Sequence, residues 1–104
     1  MNQLNISDDE LVKAIKKGGL EREKALRHLY FRKKVREAIV QNVLANSGNM
    51  HQAKDIFHEG IITLDENIRE GKYRGQGSLN SYLRSICRFK WLKVLEKERK
   101  RRIE

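Results

Sequence analysis

Apolar positions recur along most of this chain at steps of three and four residues, the spacing of helices that bury one face. The first stretch follows Ser7-Asp8-Asp9-Glu10, a capping-box spacing in which the serine oxygen and the glutamate each satisfy a backbone N–H at a helix start. It predicts a short helix over about 8–17 with Leu11, Val12 and Ile15 as its stripe, ended by Gly18-Gly19. From about Glu21 to about Asn46, Ala25, Leu26, Leu29, Tyr30, Ala38, Ile39 and Val43 predict one long amphipathic helix, interrupted near Lys33-Lys34. Ser47-Gly48-Asn49 reads as a turn, with Asn49 free to cap the next helix. That third helix, about 50–70, carries Ala53, Phe57, Ile61, Leu64 and Ile68 on one face. Gly71 through Gly77 holds three glycines in seven residues and is a loop. Ser78 caps a fourth helix running to about Arg102, with Leu79, Tyr82, Leu83, Ile86, Leu92 and Leu95 as its stripe. The expected fold is all-α, a compact bundle of about four helices in a single domain over residues 1–104.

Composition narrows the function. The chain has 104 residues, 36% of them charged, no proline to break helices, and a net charge of +9. Nine basic residues stand against three acidic ones between Arg84 and Glu104, so much of the excess sits on the fourth helix. Such clustering suits a disordered basic arm, a membrane-surface helix or a nucleic-acid binder, and can bind phosphates. Cys87 is the one cysteine, which excludes an internal disulfide and suits a reducing cytoplasm. No apolar run approaches the roughly 20 residues of a membrane span, and no signal-peptide pattern opens the chain, so a cytoplasmic protein without a membrane partner is expected.

Three segments taken together carry a family resemblance. Ala53-Lys54-Asp55-Ile56-Phe57-His58-Glu59, then Tyr73-Arg74-Gly75, then Ser78-Leu79-Asn80-Ser81-Tyr82-Leu83-Arg84-Ser85-Ile86-Cys87-Arg88, follow one another in this order ahead of a basic helix end. This half of the chain resembles the polymerase-binding and minus-ten-recognition region, region 2, of sigma factors of the extracytoplasmic function class within the sigma-70 family. Lys24-Ala25-Leu26-Arg27-His28-Leu29-Tyr30 fits the segment that precedes these motifs. His58 stands where the family often has glutamine, and Phe89 where it often has asparagine. Family members also carry a helix-turn-helix domain for the minus-thirty-five element; with the chain ending at Glu104, an excised domain and a naturally short protein both remain open.

The resemblance implies a transcription initiation factor domain with two partners, core RNA polymerase and promoter DNA. Asp55, His58, Glu59 and Glu66 would meet the clamp helices of the largest polymerase subunit, although from pattern alone they form an ordinary solvated helix face. Tyr73, Arg74 and Gly75 would receive a base flipped out of the single-stranded minus-ten element, with Ser78 at the edge of the loop. Arg84, Arg88, Lys97 and Arg99 would meet phosphates; the plain alternative is a soluble charged tail. Among Tyr82, Phe89 and Trp91, any of which could stack on an opened base pair, Trp91 lies off the apolar stripe and is the preferred contact, with packing against the second helix as its alternative.

Nothing is arranged for catalysis, and no cofactor is expected. His51 and His58 stand two turns apart with no second cysteine to complete a zinc set. Cys87 reads as a small buried hydrophobe, and Gly75 and Gly77 lack the spacing of a phosphate-binding loop. Two other readings stand beside the leading one: a helical protein that binds nucleic acid non-specifically through its basic tail, and an interaction bundle held by an inhibitory anti-sigma factor.

Overall fold

The computed structural model describes residues 6–103; residues 1–5 and Glu104 lie outside them. Five helices follow one another, α1 (Asp8–Lys17), α2 (Gly19–Tyr30), α3 (Lys33–Ala45), α4 (Met50–Arg69) and α5 (Leu79–Ile103). The described residues contain no strand, and the fold is an all-α bundle. The Ser7–Glu10 capping box forms, with Ser7 Oγ accepting from the Glu10 N–H at 3.1 Å, and Asn49 caps α4 in a box of its own with Gln52, its Oδ1 accepting from the Gln52 N–H at 2.8 Å.

The long helix expected from Glu21 to Asn46 is two helices. Its buried residues are Ala25 and Leu29 in α2, then Val35, Ile39 and Val43 in α3. Leu29 to Val35 is a six-residue step, and at 3.6 residues per turn such a step points two side chains to different sides. A straight helix would bury only one set, so the chain turns at Phe31 and at Arg32, whose ψ of 106° is extended. The start of α3 has no side-chain cap and no acidic residue in its first turn. Lys33 and Lys34 occupy that turn instead, where the helix dipole disfavours cations by about 0.3–1 kcal/mol each.

α4 is the centre of the bundle and packs against each of the other four helices. It therefore buries more than the one stripe its pattern predicts, adding Ile56, Gly60 and Asp65 to the expected Ala53, Phe57, Ile61, Leu64 and Ile68. Asp65 is held from two directions. Arg22 of α2 donates to it through Nε at 2.9 Å and a terminal nitrogen at 2.6 Å, and Arg69 donates through the equivalent pair at 3.2 Å each. The Arg22 hydrogen bonds, aided by Arg69 and opposed by burial, hold the Asp65 carboxyl below the usual carboxylate range.

α5 closes against α4 along a seam of close approach. A Cβ at Gly60 would overlap the Cys87 sulfur, so α4 needs glycine there for α5 to lie this near. Cys87 is buried as expected, and burial pushes its thiol up to about 12. The buried row of α5 is Leu79, Leu83, Cys87 and Trp91, four-residue steps throughout, and Leu92 of the expected stripe is exposed. Beyond Leu95 nearly every residue is exposed, and the helix end leaves the bundle. This projection accounts for a radius of gyration of 14.9 Å, above the roughly 13 Å expected for a chain of this size.

Candidate nucleic-acid and partner surfaces

The glycine loop is built around Tyr73. Its hydroxyl donates to the Gly77 carbonyl, closing the loop on itself, and its ring packs on Tyr82 of α5 with centroids 4.9 Å apart at 51°. Tyr82 is in turn fixed from α4, where Asn67 Nδ2 donates to its hydroxyl at 3.0 Å. Tyr73 is consequently half-buried, one face already covered, and burial followed by the charges of Asp8 and Asp9 raises its phenol above the usual value. Gly75 has φ 79°, in the left-handed region, and Arg74 beside it is exposed.

Between this loop and α5 lies a small cleft of about 170 Å³. Tyr73 and Tyr82 give it aromatic walls, and Gln76, Ser78, Ser81 and Ser85 line it with amide and hydroxyl groups. Its α5 side starts where two caps meet: Ser78 Oγ accepts from the Ser81 N–H at 3.0 Å, and Asp8 of α1 accepts from the Leu79 N–H at 2.9 Å. Asp8 thus anchors the loop from the opposite end of the sequence. Such a cleft, planar apolar walls with several hydroxyls, suits one flat heterocycle better than a drug-sized ligand, whose pockets start at about 300 Å³.

Along α5 the cleft face continues into exposed residues. Phe89 lies seven positions after Tyr82, two turns further on the same side, and is 61% exposed. Lys93 stands over its ring at 5.1 Å. Arg88, Lys97 and Arg99 are exposed on the same helix; Arg84 is exposed too and, with Arg88, lines a second cavity of about 300 Å³ against α3.

Trp91 is not on this surface, contrary to the expectation that it would contact DNA. It is 2% exposed, and its indole N–H donates to the Asn46 carbonyl at the end of α3 at 2.9 Å. A Cβ at Gly48 would overlap Val43 Cγ1 and stand 2.7 Å from Trp91 Cζ2, so the turn after α3 is shaped to admit the ring. The four-residue step from Cys87 carries the explanation, and Phe89 is the aromatic that α5 exposes instead.

The four α4 residues expected to meet a partner share one face. Asp55, His58, Glu59 and Glu66 are all exposed on one side of that helix. Ile62, 46% exposed, lies seven residues after Asp55 and so among them, giving the acidic face an apolar centre that charge patterning alone does not single out. His58 meets Tyr30 of α2 edge to face at 6.4 Å.

No helix among the described residues is long and apolar enough to cross a membrane. Comparison of the chain with protein-family models, with curated proteins and with solved structures found no match in any of the three.

Proposed function

We propose that this chain is a transcription initiation domain of the extracytoplasmic function sigma class, which binds core RNA polymerase through α4 and melted minus-ten DNA through the glycine loop and α5. The observation that carries the reading is the Tyr73–Tyr82 cleft, sized for one planar ring and continuous with an exposed aromatic and cationic helix face. A base flipped from the non-template strand would lie in the cleft against the serine hydroxyls, and Arg74 would meet a flanking phosphate. Phe89 would replace the stacking lost at the edge of the opened duplex, while Arg88, Lys97 and Arg99 attract the backbone irrespective of sequence. Asp55, Glu59 and Glu66 around Ile62 offer an acidic rim and apolar centre to a basic helical surface on polymerase.

The test is retention of the chain by core polymerase. Asp55→Lys with Glu59→Lys should abolish it, because both side chains are exposed and the variant keeps its fold. Retention of the doubly reversed chain at the wild-type level would refute the α4 surface.

A further inference from the structure

The turn that splits the expected long helix creates an open groove unused by the function just proposed. It has a volume of about 680 Å³, the largest of the cavities described, and lies beside the α2–α3 turn. Lys24, Arg27, Arg32, Lys33 and Lys34 line it, with Phe31 at its side. Two of these cations have acidic neighbours, Arg32 with Asp8 at 4.0 Å and Lys33 with Glu37 at 4.0 Å. Lys24, Arg27 and Lys34 make no salt bridge among the described residues and are exposed. Phe31 is 63% exposed with Tyr30 edge-on to it at 5.3 Å, so its ring is held at an angle with much of its surface open to solvent.

The groove reaches α5 at Asn80, whose Oδ1 accepts from Arg32 at 2.8 Å. Ser78 and Ser81, its near neighbours on that first turn, line the Tyr73–Tyr82 cleft. The cleft and the groove therefore both border the first turn of α5.

We propose that this groove is a second binding site for single-stranded nucleic acid, with phosphates on Lys24, Arg27 and Lys34 and a base against Phe31. A cationic channel beside an exposed aromatic is the combination that favours single strands, because a duplex keeps its base faces stacked and out of reach. Clustered cations without acidic partners also complement the regularly spaced charges of a polyanion. The occupant rests on the proposed function in one respect, that the strand in the groove is the one whose neighbouring base enters the cleft.

The experiment uses the whole chain, fluorescence anisotropy and two single-stranded oligonucleotides, about 5 and about 15 nucleotides long, near the two ends of common single-strand site sizes. The shorter is the minus-ten-like segment and the longer extends it. Lys24→Gln, Arg27→Gln and Lys34→Gln combined should lower the salt slope for the longer strand by about 2, at roughly 0.7 for each phosphate no longer neutralised. Phe31→Ala should weaken the longer strand at least about fivefold, and both variants should leave the short strand nearly unchanged. Circular dichroism checks that the exposed changes leave the helices intact. Unchanged binding of the longer strand in both groove variants would overturn the proposal. Equal losses on single strand and duplex with Phe31→Ala silent would also overturn it, reducing the groove to a general phosphate surface. So would binding of an acidic peptide with no binding of either oligonucleotide. Groove variants that act while Tyr73→Ala and Arg74→Ala are silent would uphold the groove and refute the cleft.

Discussion

Replacing Trp91 separates a structural residue from a DNA contact, because the two roles move different measurements. The indole is buried between α5, the end of α3 and the turn at Gly48, with its N–H on the Asn46 carbonyl. Trp91→Ala removes nearly the whole buried ring and should cost about 3–5 kcal/mol. A domain of this length holds roughly 5–15 kcal/mol in total, so a large share of its stability would go. Trp91→Phe keeps most of the packing; losing the hydrogen bond costs about 1 kcal/mol and incomplete filling adds to it, about 1–3 kcal/mol together. At about 4–8 °C per kcal/mol for a domain of this size, the phenylalanine variant should melt roughly 4–24 °C lower. The assay is urea denaturation followed by far-ultraviolet circular dichroism, which does not depend on the tryptophan, paired with oligonucleotide binding well below the melting range. Stability should fall while single-strand affinity holds. An unchanged urea midpoint with lost affinity would refute the burial argument and return Trp91 to the DNA surface.

Gly60→Ala should destabilise by about 1–3 kcal/mol, since overpacking against the Cys87 sulfur outweighs the roughly 1 kcal/mol that alanine adds to a helix interior. In a Cys87→Ala background the same change should become stabilising; a stabilising effect in the wild-type chain would contradict the close seam. Burial, and then the charge of Arg32, lower the His28 imidazole below its usual value, so the unfolded chain takes up a proton there before the folded one does. Stability from this group is complete above about pH 6.5 and declines as pH falls through that value, a step His28→Gln should remove from urea midpoints measured across pH. Asp65 has the opposite charge type but the same direction: its contribution is present above the ordinary carboxylate value and lost as pH falls through its lowered one, a separate step at lower pH. On the proposed function, Arg74→Ala should leave polymerase retention intact and weaken strands differing at the flipped base alike; a loss of discrimination between them would place Arg74 on the base and not on a phosphate.

Helix α1, the α4 stripe, the Ser7–Glu10 capping box, the Asn49 cap and the glycine loop follow directly from local spacing, because caps and single-face burial are short-range signals. The break at Phe31 and Arg32 shows in the sequence only as a phase slip between Leu29 and Val35, since neither residue at the break is a helix breaker and the rival phases become decisive only against a shared core. Trp91 falls off a stripe traced through the aliphatic residues of α5, because such a stripe skips the four-residue row through Cys87. The Gly48 that makes room for the ring reads in sequence as ordinary turn chemistry, yet it is Ser47 that takes the positive φ of 74°. The Arg22–Asp65 pair joins residues 43 positions apart, and no local pattern announces it. Of the candidate sites, the charges on α4 and α5 can be read directly; the aromatic wall of Tyr73 and Tyr82 and the open face of Phe89 require the packing of the loop on α5.

Cys87 gives the molecule a natural timer. Its sulfur sits inside the α4–α5 seam against Gly60, and a thiol pushed up to about 12 is almost entirely in its unreactive protonated form. Cys87 is nearly inaccessible, so a disulfide reagent reaches it through fluctuations that open the helices packed on it, and the rate counts those openings. The outward side of the same helix bears Phe89, so a strand that clamps it should slow the chemistry on its hidden side. Binding to the exterior would then be read from a single native sulfur, without a label on either partner.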